Sequence, residues 1–447
     1  LTRAAGGQYN QTIKKNAAGG GMGMTWAELA NSAQLKELPE YYGQRFPGWT
    51  PPTEAELAAP YIGAEDLARL PGLCGFPEEL TKALGRACAR IDAHREMKLL
   101  ALYLHWAIFV ERPFYLSAWF ESLEAGVWGG EAAMLGLCVL CREIPRTLRD
   151  LARRKHPNPD DVTGNFKQLV EYARPRREKT GHWGLANAAW CALCVTPWLN
   201  TACHLRFNPA KLDHDFNFYR HRQTGELLGL AGGGIALRGD GLLCDEGEEP
   251  ALETSFRQSG GQALAHRLSP AGFISLKAEA FDLAPYEKIL GQGDILLSFH
   301  IPRKPGYTVD NCRASFLAAL ELFEQAYPEV KPKGFISHSW LYSPQLPLML
   351  EEEDSRIIKL QRQLFLMPAF VDRDAFAIFL YMLDSMPEPE QLPADSRLRA
   401  LVRGWLMQGR YLSVGCALLP IQDLPHFGGT PYFRQEELAA FKHLSGV

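Results

Sequence analysis

Apolar residues recur every three to four positions through the first third of the chain, then shift toward short alternating or continuous runs beyond about residue 200. The first pattern predicts helices at Ala55–Leu70, Pro77–Leu102, Leu102–Val110, Pro113–Leu123, Gly130–Arg142 and Leu148–Lys155. Pro51-Pro52, Pro71-Gly72 and Pro113 punctuate them. His156-Pro157-Asn158-Pro159 and Arg174-Pro175-Arg176-Arg177 bracket a predicted linker containing one short helix, Phe166–Tyr172. After a helix at Leu185–Leu199, strands are predicted at Ala202–Phe207, Phe216–His221, Glu226–Leu230, Ile235–Leu237, Thr254–Gln258 and Ala263–Leu268, with Gln223-Thr224-Gly225 as a hairpin turn.

The densest signal lies between Gly293 and Leu346. Asp294–Ile301 has the apolar, partly β-branched content of a strand, and Pro302 stops it because proline cannot donate to a ladder. Thr308 is placed to N-cap a helix whose Phe316, Leu317, Leu320 and Phe323 form one apolar face. Lys333-Gly334 then opens a second strand, Phe335–Tyr342. Such a series puts unpaired N–H groups at a helix N-terminus, which favours an anion such as a pyrophosphate. Farther on, helices are predicted near Gln345–Leu350 and at Asp374–Leu383 and Ser396–Gln408. Strands are predicted within Ile357–Phe370 and at Tyr411–Leu419. The order of elements implies an α+β architecture.

Composition narrows the function classes. A chain of 447 residues, 47% of them hydrophobic, can bury more than one core. A net charge of -4 and a pI near 6.3, with Lys and Arg dispersed, argue against nucleic acid as partner. No apolar run reaches spanning length, so no membrane partner is expected. Leu1–Gly23 is rich in Gly, Ala, Asn and Lys and is expected to be disordered. The ten cysteines include two C-x-x-C pairs, Cys138/Cys141 and Cys191/Cys194. They sit among Leu, Ala, Trp and Val without turn residues, so core packing is expected in place of a metal, and a reducing cytoplasm fits the usage. His204, His214 and His221 with Asp213 and Asp215 match no ligand spacing, and hairpin geometry is expected to scatter them.

Four pieces carry a family resemblance: Ser269-Pro270-Ala271-Gly272-Phe273, the strand ending His300-Ile301-Pro302, the helix segment Cys312–Phe316, and Ser337-His338-Ser339-Trp340-Leu341 followed by Pro344-Gln345-Leu346. Over roughly Gly181–Pro420 the chain resembles a bacterial acyltransferase-domain family with an N-acyltransferase N-terminal domain and a GNAT-like C-terminal domain. The resemblance implies a mixed, splayed sheet flanked by helices. Together with the composition and helical pattern upstream, it gives four divisions: a disordered 1–23, a helical 24–165, an N-acyltransferase-type region at 166–290 and a GNAT-like domain at 291–447.

The same resemblance implies acetyl-CoA or another acyl-CoA as co-substrate, with a small-molecule or peptide amine as acceptor. Such transfer needs a base for the ammonium proton, donors for the thioester carbonyl and an acid for the thiolate. By the family pattern the backbone of Phe299, His300 and Ile301 supplies carbonyl donors. Arg303, Lys304, Gly306, Tyr307 and Thr308 form the pyrophosphate loop, a partial match because Pro305 lacks an N–H and Thr308 stands where a small residue is usual. His338 is the candidate base and Tyr342 the candidate acid. Trp340, on the His338 face, is expected to wall the substrate pocket, with Ser337 and Ser339 flanking on the opposite face. The alternative is a GNAT-like ligand-binding or regulatory module without turnover.

Overall fold

The computed structural model describes residues 25–36, 40–110, 123–185, 188–245, 247–302, 306–350, 355–369, 373–383 and 385–445. The expected disorder of residues 1–23 and the loop residues Arg303 and Lys304 lie outside these, as does most of the predicted helix at Pro113–Leu123. Two compact units divide between Thr201 and Ala202.

The first unit is helical. Thr25 and Thr53 each start a helix through a capping box with Glu28 and Glu56. Tyr103, fully buried, gathers Trp26, Phe46, Trp49 and Trp106 around it at ring-centroid distances of 5.3, 5.1, 5.2 and 6.0 Å. Proline predicts helix breaks that do not occur: Pro71, read above as punctuation, lies inside the helix Ala64–Cys74. Pro145 lies inside one continuous helix, Met134–Arg154, and Pro175 inside another, Gln168–Thr180, where a linker was expected. Burial of the faces around them outweighs the lost backbone bond: Ile144 and Leu151 in the first and Leu169, Val170 and Ala173 in the second are all buried. Cys74, Cys88, Cys138, Cys141 and Cys191 are buried in the apolar core. Burial pushes the Cys74 thiol up to about 12 and those of Cys138 and Cys141 well above their ordinary value.

Strands follow in chain order: β1 Asn200–Ala202 at the boundary, β2 Leu205–Lys211, β3 Phe216–His221, β4 Leu227–Ala231, β5 Ala236–Leu237, β6 Leu252–Glu253, β7 Phe256–Ser259, β8 Gln262–Leu268, β9 Ile274–Asp282, β10 Tyr286–Leu290, β11 Ile295–His300, β12 Gly334–Ser339, β13 Phe365–Pro368 and β14 Gly415–Pro420. Within the second unit one sheet runs β2-β11-β12-β14-β13, and an antiparallel sheet runs β10-β3-β4-β8-β7 with β9 on β8. The two sheets meet where Phe218 of β3 stands edge-on to Phe365 of β13, 5.3 Å between centroids. The sequence pattern misses β9, β10 and a last helix, Gln435–Ser445, and it reads the helix Arg356–Gln361 as part of a strand. Among the described residues no helix is long and apolar enough to cross a membrane.

Registers in the first sheet position the site. β11 is antiparallel to β2 from Ile295↔Lys211 to His300↔Arg206, whereas it is parallel to β12 only at Leu297↔Phe335 and Ser298↔Ile336. Beyond Ser298 and Ile336 the neighbouring strands diverge, giving the splayed α+β sheet. Side chains alternate, so Phe207, Leu297, Phe299, Phe335 and Ser337 share one face. Asn208, Ser298, His300, Ile336 and His338 share the other.

The helix Val309–Ala326 covers the first face. Its Phe316 meets Phe207, Phe299, Phe335 and Phe427 at 6.1, 5.2, 4.5 and 5.3 Å, spanning both strands that diverge. Phe316→Ala is expected to cost about 3–5 kcal/mol by cavity formation, read as a lower midpoint in urea unfolding. A change below about 1 kcal/mol would deny Phe316 this anchoring role.

Candidate functional site

Thr308 caps the helix as expected: its Oγ1 accepts from the Asn311 amide at 3.3 Å. The approach to that cap is folded tightly. Gly306 has φ +121°, a conformation that glycine adopts without a Cβ clash, and its carbonyl accepts from Asn311 Nδ2 at 2.8 Å and from the Thr308 amide at 2.9 Å. The Thr308 N–H is therefore already used. Among the described residues the amides of Val309 and Asp310 have no acceptor and are the donors left for an anion at this helix end.

The second strand is shorter than its sequence suggests. β12 ends at Ser339, and Trp340–Tyr342 is a 3-10 turn capped by Ser339, whose Oγ accepts from the Leu341 amide at 3.2 Å. Trp340 and Tyr342 are thus off the strand, which corrects the expectation that Trp340 shares the His338 face by alternation. Trp340 packs on Phe376, 5.9 Å between centroids. The turn folds over because Gly415 of β14, paired to Ser339, lacks a side chain; a Cβ there would overlap the Tyr342 carbonyl.

Tyr342 is 1% exposed and lies on the helix-covered side, 6.2 Å from Phe299. Its hydroxyl shares a 2.5 Å hydrogen bond with the half-buried Tyr307 hydroxyl. Burial raises the pKa of both phenols well above the ordinary value, so both remain protonated. Ser337, also buried, reaches the Tyr342 hydroxyl from β12.

His338 projects from the other face. It is exposed to solvent. Desolvation and the neighbouring His214 push its pKa down to about 4, against the opposing pull of Asp213. His300, two residues past the last parallel pair, is depressed likewise to about 4 by burial, Arg206 and His338, and its Nε2 lies 2.6 Å from Asn208 Oδ1. Sequence reasoning scattered Asp213 and His214, yet the structure brings both to His338. The three residues offer one donor atom each within 4.8 Å of one another. The Asp-His pair just before β3 was the available signal. His204 and His221 lie elsewhere: the His204 amide donates to Ser315 Oγ, and His221 meets Tyr286 edge-on.

Residues 205–419 match the family described as the GNAT-like C-terminal domain. This region is a GNAT-like domain. Among solved structures, an acyltransferase in complex with decanoyl-CoA is 19% identical with a TM-score of 0.54, covering 89% of this chain and 99% of that one. An acyltransferase in complex with decanoyl-CoA and teicoplanin is 18% identical with a TM-score of 0.56, covering 89% and 100%. The shared fold extends beyond the GNAT-like domain into the helical residues. No curated protein sequence matches the chain.

The histidines give the fold a signed pH dependence. Both are depressed in the native state from an ordinary value of 6.5. Between about pH 4 and 6.5 the unfolded chain binds more protons, so stability rises with pH across that window and falls on acidification through it. Urea unfolding at several pH values is expected to show this slope, made shallower by His338→Asn. A slope unchanged in that variant would mean that His338 is not held neutral by the fold.

Proposed function

We propose that the chain is an acyl-CoA-dependent N-acyltransferase, moving an acyl group from a CoA thioester to an amine. The observation that carries this reading is the divergence of β11 and β12 past Ser298 and Ile336, with proton-handling groups on opposite sides of the gap. The backbone of Phe299, His300 and Ile301 has no strand partner on the β12 side and supplies N–H donors for the thioester carbonyl. Gly306, Tyr307 and Thr308 shape the approach to the helix, and the Val309 and Asp310 amides face the pyrophosphate, with Arg303 and Lys304 adding charge. The similar acyltransferases solved with decanoyl-CoA support a thioester donor.

In this scheme His338, neutral at physiological pH, takes a proton from the acceptor ammonium and later releases it to solvent. The freed lone pair forms the C–N bond as the C–S bond breaks. The proton remaining on the adduct nitrogen is lost to solvent while the thiolate gains one. Tyr342 is enclosed, so the half-buried Tyr307 is the phenol that gives sulfur its proton and regains one from solvent, while Tyr342 with Ser337 behind it holds the Tyr307 hydroxyl in place. Ser337 and Ser339 shape the second strand and its turn, and Trp340 bounds the acceptor side. Placing base and acid on different faces keeps the acceptor's proton away from the thiol.

Calorimetry with CoA and acyl-CoA, followed by transfer assays on an amine panel, tests the reading. His338→Ala is expected to leave acyl-CoA affinity nearly unchanged while lowering kcat by about 10²- to 10⁴-fold. Full transfer in that variant removes His338 from the mechanism, and absence of heat at millimolar CoA removes the donor. Tyr307→Phe should lower kcat and leave binding intact; an equal loss in affinity would assign Tyr307 to cofactor binding instead.

A further inference from the structure

The turn between β2 and β3 carries two side chains that the scheme above does not use. Its backbone is fixed at five points: the Leu212 amide donates to the Asp294 carbonyl at 2.9 Å and the Gly293 amide to the Leu212 carbonyl at 2.8 Å. Gln292 Nε2 donates to the Asp213 carbonyl at 3.1 Å, the Phe216 amide to that of His214 at 2.8 Å, and the Gly232 amide to that of Asp215 at 2.7 Å. From this fixed turn the His214 ring lies near-parallel to both Phe216 and His338. Centroid distances are 5.4 and 5.3 Å, with 16° between planes in each case.

The His214 side chain is 8% exposed, and among the described residues neither ring nitrogen has an aligned hydrogen-bond partner. Asp213 Oδ1 comes within 2.8 Å of Nδ1. Leaving buried ring nitrogens unsatisfied costs about 1–3 kcal/mol, and a native fold that holds such a group in place invites a functional account. Among the described residues, the charged and titratable groups around His338 are Asp213 and His214 from this turn, His300 from β11 with Arg206 of β2 behind it, and Cys416 of β14 opposite His338 in register. Asp213 is the one anion among them. It is half exposed, and His214 and His338 hold it well below the usual carboxylate range, so it stays charged.

We propose that Asp213 and His214 are positioning residues for the transfer reaction: His214 fixes the plane of the His338 ring, and the Asp213 carboxylate offsets the positive charge that ring acquires on taking the acceptor's proton. The inference rests on the acyl-transfer reading above. No proton passes through the stack, because parallel rings 5.3 Å apart share no hydrogen bond; His338 gains the acceptor's proton and returns it to solvent.

The test compares Asp213→Asn and His214→Gln in the full chain by two readouts: the NMR titration of His338 in the free protein and the pH profile of kcat/KM. Asp213→Asn removes the favourable charge and should move the His338 midpoint down. His214→Gln removes an unfavourable one and should move it up, each by about half a pH unit or more. Both should lower kcat about tenfold with acyl-CoA KM nearly unchanged. Midpoint shifts in the same direction, or no shift with both variants folded by near-UV circular dichroism, would overturn the proposal. So would micromolar Zn²⁺ binding to the wild type that both variants lose, since that outcome makes the three residues a metal centre. The NMR readout needs no turnover, so it stays informative if His338→Ala retains activity and the transfer reading itself fails.

Discussion

A single helix holds together two strands that are not allowed to stay paired. β11 and β12 share only two register pairs before separating, and a parallel sheet that opens in this way would lose ladder bonds and admit water along the seam. The aromatic cluster around Phe316 supplies the compensating contact. It touches Phe207 and Phe299 on one side of the seam and Phe335 on the other, so the strands diverge above a base that cannot slide. The helix cap at Thr308, the turn at Trp340–Tyr342 and the side on which each candidate group emerges all follow from that anchored divergence.

The opening also separates two electrostatic settings. On the helix side, two phenols sit in a nearly dry environment and share one short hydrogen bond, an arrangement that keeps protons on oxygen. On the other side, the ring of His338 is exposed to solvent with one carboxylate nearby, an arrangement that keeps a lone pair available. A sheet with fully paired strands would place a continuous backbone wall between them. Here the gap lets groups on the two faces address one reacting centre.

Much of this was legible in the sequence because it is local. Thr308, the apolar face at Phe316 and Phe323, and the alternation Ser337/His338/Ser339 are each fixed by neighbours a few residues away, and each is found where the pattern puts it. What failed was long-range. That β12 stops at Ser339 depends on Gly415, far along the chain, leaving room for the turn. That His214 reaches His338 depends on the β2–β3 turn folding back across the face of the sheet, and no spacing rule encodes it. Tyr307 and Tyr342 meet only because the helix N-terminus and the 3-10 turn lie on the same side. Pro145 and Pro175 misled for a related reason: propensity speaks for an isolated helix, and tertiary burial had the larger say.

The position of β14 in the sheet has a consequence for how the protein is made. This strand, at Gly415–Pro420, is inserted between β12 and β13, both of which are synthesised much earlier. Until residue 420 has left the ribosome, the inner edges of two apolar strands stand unpaired, and the nascent domain presents templates for association with other chains. The interval is one in which a chaperone would shield the growing chain, and a chain terminated shortly before Gly415 would have its sheet open in the middle.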